Sequence, residues 1–279
     1  MLVVINDSTP ADVLFGSETR RGTVPRDYAV QPTGDGLVVP QFVAQPVGDL
    51  TPPSQIVLIP ESEWIPRIQE RKARNLGLSQ IRNTCGPNGG RMPAKDQNGQ
   101  GYCWAYSVSR AMEFLIAKAN QPYTPLSAHS VACKIKGFAD EGGWCGLSAK
   151  FIAENGVVPE SRWPAKSMSR SLDNSANWEA ARRYRMIEGF YDLNRQVWDQ
   201  KIAWAAIVTL LLSNIPVPAD FAWWGHSVCL FDLDVIDGEV CPLLDNSWTD
   251  GWGTNGVGAL QGERKYPMGA VAPLAVVAV

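Results

Sequence analysis

A chain of 279 residues, 45% hydrophobic and 19% charged, can fill one large core or two lobes that share a cleft. Its formal net charge of −3 argues against a dedicated nucleic-acid binder. No run reaches the ~18 apolar residues of a membrane span, so neither nucleic acid nor membrane is an expected partner.

The first residues carry no basic n-region, so no secretory signal peptide is expected. Six cysteines (85, 103, 133, 145, 229, 241) show no paired C-x-x-C spacing, so neither a zinc site nor a compact disulfide framework is indicated. Reduced thiols in a cytoplasm-like compartment are the simplest expectation.

Nine of the twenty prolines lie before position 67. They interrupt apolar runs at 2–5, 37–39 and 56–59, which are therefore expected as edge strands or extended arms. Such a segment buries little alone, so residues 1–60 should lie on the main domain, on a protein partner, or on both. Residues 61–75 read as a charged helix with Pro66 near its first turn. Residues 85–95 form a loop rich in Gly and Pro. The next helix should begin near Cys103, because Trp104, Val108, Ala111, Met112, Leu115 and Ile116 follow helical spacing. Helices follow at 127–133 and 147–154, the latter stopped by Asn155-Gly156, and a longer one at 195–212. Strands are expected at 215–217, 226–235 and 240–248, with a tight turn at Asp237-Gly238 between the last two. Helices first and strands later indicate an α+β protein with two lobes. The expected division is a proline-rich arm with a short charged helix at 1–84, a helical lobe at 85–165 and a β-rich lobe at 166–279.

The segment Gln97-Asn98-Gly99-Gln100-Gly101-Tyr102-Cys103-Trp104-Ala105 places a cysteine at a helix start and a glutamine six residues upstream. A thiol is a poor nucleophile until it ionises, and both a helix N-terminus and a nearby imidazolium favour the thiolate. Cys103 meets the first condition from local sequence. His226 is the candidate for the second, since the other histidine, His129, is expected as a surface or half-buried residue of a short helix. Asn246 is the candidate orienter of the ring, with Asp245 as the alternative. The Gln97 amide and the Cys103 backbone N–H are candidate oxyanion donors.

Residues 96–107 and 245–256 (Asp-Asn-Ser-Trp-Thr-Asp-Gly-Trp-Gly-Thr-Asn-Gly) resemble the nucleophile and asparagine motifs of papain-like cysteine peptidases. The resemblance covers roughly residues 85–279. It implies a two-lobe fold, with a helical lobe and an antiparallel β-barrel-like lobe, here preceded by the extended arm. It also implies an endopeptidase that acts on peptide or protein substrates through an acyl-thioester, with no metal or cofactor. Cys103, His226, Asn246 and Gln97 would be catalytic. Gly142 and Gly143 would let a substrate lie against the backbone as an added strand. Trp144 and Gly225 would border an apolar pocket for the second residue before the cut. Trp248 would shield the His226–Asn246 contact, and Trp252 would flank the primed side. Gln100 stands where the family usually has a cysteine, so its common disulfide there is absent, and Tyr102 replaces the usual serine. The family's helical propeptide has no counterpart in the arm.

Register supplies a test. A plain two-residue turn at Asp237-Gly238 would pair His226 with position 249 and leave Asn246 on the opposite face. The candidate triad therefore requires a three-residue loop or a β-bulge in the ribbon. Two other readings stand beside the peptidase. The arm suits a component of a large assembly such as a phage or virus particle, which would be virion-associated and carry a maturation peptidase or an idle scaffold. Amidase or transglutaminase chemistry is the third.

Overall fold

The structure, a computed structural model, describes residues 2–15, 37–38, 41–43, 55–193, 200–274 and 276–277. The arm contributes β1 (Val3–Ile5), α1 (Ala11–Phe15), β2 (Leu37–Val38), β3 (Gln41–Val43) and β4 (Gln55–Val57). The helices that follow are α2 (Glu61–Ala73), α3 (Leu78–Thr84), α4 (Cys103–Lys118), α5 (Ala128–Ile135), α6 (Cys145–Asn155) and α7 (Ser175–Ala181). Then come β5 (Arg185–Met186), β6 (Phe190–Asp192), α8 (Gln200–Leu212), β7 (Val217–Phe221), β8 (His226–Ile236) and β9 (Glu239–Asp245). The chain closes with β10 (Val257–Leu260), β11 (Gly269–Pro273) and β12 (Val276–Val277). The architecture is α+β, as expected, and the first part of the expected 195–212 helix falls outside the described residues. Among the described residues no helix is long and apolar enough to cross a membrane.

Eight strands form one sheet in the order β1-β10-β9-β8-β7-β11-β6-β2. The edge pairs β1–β10 and β2–β6 are parallel and the other neighbours antiparallel. The proline-punctuated runs thus do lie at sheet edges, where a missing ladder donor costs least. The arm docks on its own domain: Gln261 N donates to Ile5 O at 2.9 Å, and Arg264 pairs with Asp7 at 2.9 Å.

Between β8 and β9 the turn has two residues, Asp237 (φ 51°) and Gly238 (φ 80°), the left-handed pair that a type I′ hairpin needs. Pairing runs regularly from Ile236↔Glu239 to Asp232↔Leu243, then shifts to Leu230↔Leu244 and Cys229↔Asp245. Phe231 is the extra residue of the required bulge. Its ring stacks on Phe114 of α4 at 5.2 Å, so burial against the helix holds the bulge in place. Continued past Cys229↔Asp245, the shifted register sets Asn246 opposite Val228, on the same face as His226.

Helix α4 is buried from Cys103 to Ala117 and packs against both β8 and the other helices. One core lies between the sheet, α2 and α8, and a second among α4, α5 and α6. The second core also takes Ala181, Met186 and Phe190. Asp232 of β8 is buried. It accepts from Ser79 N at 2.9 Å, in the first turn of α3, where a carboxylate satisfies helix donors that have no intrahelical acceptor.

Candidate active site

Cys103 is the first residue of α4, and the N-cap Tyr102 makes no side-chain cap. The sulfur therefore sits at the helix end where unpaired N–H groups and the dipole favour an anion. One turn on, Ser107 Oγ meets Ser227 Oγ at 2.9 Å. That buried contact pins the start of α4 to the residue after His226. His226, in turn, opens β8.

The His226 ring is held on three sides. Its Nε2 lies 2.8 Å from Asn246 Oδ1. Trp248 stacks on it at 4.4 Å, and Trp224 meets it edge-on at 4.9 Å. Asn246 Oδ1 also accepts from Ser247 N at 2.8 Å. That backbone donor fixes which way the amide faces, since a flipped Asn would oppose N–H to N–H. His226 Nε2 must then carry the hydrogen of the neutral ring, which makes Nδ1 the acceptor nitrogen.

Gln97 is tied to the same motif. Its backbone N–H donates to Ser247 O at 2.9 Å, and Ser247 Oγ donates to Gln97 Oε1 at 2.6 Å. Its Nε2 donates to Gln100 O at 2.7 Å. A carbonyl can only accept, so the Gln97 amide is also fixed in orientation, with its N–H groups on the side of the loop that leads to Cys103. One serine thus joins the candidate oxyanion donor to the candidate orienter.

Behind Asn246 lies a buried ion network. Asp245 accepts from Arg82 Nε at 2.5 Å and from Arg110 Nε at 2.9 Å. Arg110 reaches Glu113 at 2.8 Å, and Lys95 joins Glu113 at 2.5 Å and Glu160 at 2.8 Å. Burial alone would lower the Arg110 pKa, but Asp245 and Glu113 more than offset it and hold it above the ordinary value. Lys95 is likewise raised, by Glu113 and Glu160 against burial. Asp245, the alternative orienter, is thereby committed to two arginines.

The substrate-side candidates are placed as follows. A Cβ on Gly143 would lie 2.6 Å from the Trp104 ring, so the backbone at Gly143 passes close against the residue next to Cys103. Trp144 is the N-cap of α6. Gly225 takes φ 61°, and a Cβ placed there would meet nothing within 4 Å, which leaves open space just before His226. Trp252 packs edge-on to Trp248 at 6.0 Å.

Sequence reasoning missed three groups. Trp224 belongs to the aromatic wall of His226, and its indole N–H donates to Leu14 O at 2.8 Å. With Trp252 Nε1 to Val13 O at 3.3 Å, the end of α1 caps two of the wall's indoles. His129, expected at the surface or half-buried, is fully buried, because the polar loop before Cys103 folds onto it. Ser107 and Ser227 carried no sequence signal beyond their neighbours.

Comparison with known proteins supplies the family and the fold. The family model for the papain family of cysteine proteases matches residues 87–272. A senescence-specific cysteine protease of Oryza sativa subsp. indica is 29% identical over 182 residues, 59% of this chain and 52% of that protein. Cathepsin K of Mus musculus is 23% identical over 190 residues, 60% of this chain and 55% of that protein. The chain thus spans about half the length of the curated relatives it matches. Among solved structures, xylellain, a cysteine protease from Xylella fastidiosa, superposes with a TM-score of 0.56 at 15% identity, covering 94% of this chain and 97% of that one. Digestive procathepsin L 3 of Tenebrio molitor gives 0.51 at 18% identity, over 70% and 67%. At such identities these superpositions establish the fold.

Proposed function

This chain belongs to the papain family of cysteine proteases, and on that footing we propose that it hydrolyses peptide bonds with Cys103, His226, Asn246 and Gln97. The Cys103 thiolate attacks the scissile carbonyl carbon, and the carbon–oxygen π pair moves onto oxygen. The Cys103 N–H and Gln97 Nε2 hold that oxyanion, and losing one such donor costs about 2.7–4 kcal/mol of transition-state stabilisation. As the oxyanion collapses, the C–N bond breaks and His226 Nδ1–H protonates the departing amine, leaving an acyl-thioester. Water, deprotonated by Nδ1, attacks the thioester carbon, and the C–S bond breaks to return the thiolate with its imidazolium. Asn246 keeps Nε2 protonated throughout, so each proton transfer runs through Nδ1.

The observation that carries this reading is the paired bond to Asn246 Oδ1 from Ser247 N and His226 Nε2, both 2.8 Å. It sets the tautomer that a Cys–His couple requires. A peptide substrate would add its backbone to Gly142-Gly143, with its second residue before the cut between Trp144 and Gly225. Substitution Cys103→Ala tests the assignment: fluorogenic-peptide cleavage should fall to background with the circular-dichroism spectrum unchanged. Cleavage that persists in the variant would remove the nucleophile from Cys103.

A further inference from the structure

The loop from Gln97 to Tyr102 carries the proposed oxyanion donor and runs directly into the nucleophile. Its backbone donates from Gln97 N to Ser247 O at 2.9 Å, from Gly101 N to Asp140 Oδ1 at 2.8 Å and from Tyr102 N to Gln100 O at 2.8 Å. Asn98 (φ 54°) and Gly99 (φ 71°) form a left-handed corner, and Gln100 N donates to Gln97 O at 3.1 Å. The Gln97 side-chain amide is held at both ends, its Oε1 by Ser247 Oγ at 2.6 Å and its Nε2 by the Gln100 carbonyl at 2.7 Å. Gln100 thus fixes the Nε2 end of the Gln97 amide.

Gln100 is fastened by its side chain. Its Oε1 faces His129 Nε2 in a short hydrogen bond, and its Nε2 meets Met168 Sδ at 2.9 Å. His129 Nδ1 lies 2.9 Å from Tyr106 Oη, and that hydroxyl lies 2.9 Å from Asp96 O. Asp96 immediately precedes Gln97. Both ends of the loop are therefore tied to one imidazole, at Gln100 directly and at Asp96 through Tyr106. The rings of Tyr102 and Tyr106 hold it edge-on at 5.2 and 5.6 Å.

Donor counting defines the working form of this ring. Gln100 Oε1 can only accept, so Nε2 carries the hydrogen. Nδ1 is then an acceptor, and it shares the single Tyr106 hydroxyl hydrogen with Asp96 O in a three-centre arrangement. Burial holds the imidazole neutral, with its pKa lowered to about 4. An apolar side chain would pack here without the desolvation cost of a buried polar group. The polar groups that meet the His129 ring, Gln100 and Tyr106, both serve the loop.

We propose that His129 is a positioning residue for catalysis, which acts through Gln100 to set the Gln97 amide where the oxyanion forms. The proposal rests on the reading that Gln97 is an oxyanion donor.

The test compares two reactions of the full-length chain at Cys103. Peptide hydrolysis passes through an oxyanion, whereas alkylation by iodoacetamide displaces iodide at a saturated carbon and forms none. In His129→Leu, kcat for a peptide substrate should fall roughly ten- to a hundredfold, KM should stay within about twofold, and the alkylation rate should be unchanged. His129→Gln, which can still offer an N–H to Gln100 Oε1, should recover most of kcat. Gln100→Leu breaks the same link from the loop side, and it stands in should His129→Leu fail to fold. In a Gln97→Ala background neither substitution should lower kcat further, because coupled groups are non-additive. Parallel loss of alkylation and hydrolysis, or a wild-type kcat in both His129→Leu and Gln100→Leu, would overturn the proposal. A Gln97→Ala variant with wild-type kcat would instead overturn the oxyanion assignment, and this inference with it. So would a wild-type chain that alkylates at Cys103 yet cleaves no peptide.

Discussion

Two buried polar networks support the two sides of this site, and they are built from different material. Behind Asn246 stand full charges: Arg82, Arg110 and Lys95 against Asp245, Glu113 and Glu160. Behind Gln97 stand neutral groups: Gln100, His129 and Tyr106. A charge in a dry interior is tolerable only while its partner is present, so the first network is close to all-or-none. A neutral hydrogen bond is worth about 0.5–1.5 kcal/mol net, so the second can be weakened without unfolding the chain. The charged side anchors the strand end that bears Asn246. The neutral side sets the position of one amide. Stability and catalytic precision are thus assigned to separate regions, and substitutions should pull them apart.

The largest effect is expected from Arg110→Met, which takes one of two cationic partners from each of Asp245 and Glu113 in the core. Urea unfolding should show a loss of about 3–5 kcal/mol. A loss below about 1 kcal/mol would mean that the ion network does not hold the strand end. On the neutral side, His129 gives a pH signature. Its pKa is lowered to about 4 in the fold from an ordinary value of 6.5. The unfolded chain therefore binds the extra proton between these values, and stability is full above about pH 6.5 and declines as pH falls towards 4. The contribution is at most about 3 kcal/mol. In His129→Gln this part of the pH dependence should be absent from urea melts at pH 4.5 and 7. A slope identical to wild type would assign it elsewhere.

Asn246→Ala, which leaves Ser247 N–H and His226 Nε2–H without their acceptor, should cost about 1–3 kcal/mol of urea stability, less than Arg110→Met, and lower kcat/KM by about 10- to 100-fold, the worth of one hydrogen bond to a charged ring. A stability loss as large as that of Arg110→Met would erase the distinction between anchoring and orienting. The smallest effect belongs to the exposed pair of Lys72 with Asp234, 2.7 Å apart with the lysine side chain 68% exposed. Lys72→Ala should cost less than about 0.5 kcal/mol in the same melts, and a larger cost would show that burial does not separate strong charged contacts from weak ones.

Sequence made the local parts of this site legible and left the long-range parts hidden. The helix start at Cys103 and the hairpin at Asp237-Gly238 follow from short-range periodicity and turn chemistry, and the need for a bulge follows once His226 and Asn246 are taken as a pair. Phe231 as the bulged residue does not, because stacking on Phe114 of another element selects it. Strands β10 and β11 escaped notice because Gly258 and Gly269 dilute their apolar pattern. The parallel pairing of β1 with β10 joins residues some 250 positions apart, and no local signal announces it. Helix α7 did carry a signal, the cap from Asn174 to Asn177 N, in a segment too polar to show a core stripe. Arg82 and Arg110 carried no sequence signal, and Asp245 was read as the alternative orienter; only the fold makes them a network. His129 was misplaced for the same reason, since its partners lie 23 and 29 residues away.

The proposed chemistry requires Cys103 to be the one thiol poised to react. Burial pushes Cys133 and Cys241 up to about 11 and Cys229 well above its ordinary value, so these three stay protonated near neutral pH. Treatment with an epoxide thiol inactivator, followed by peptide mapping by mass spectrometry, measures this directly. The expected result is one adduct, on Cys103, formed in step with loss of peptidase activity and much more slowly in His226→Ala. An adduct on a different cysteine, or full activity after Cys103 is modified, would contradict it.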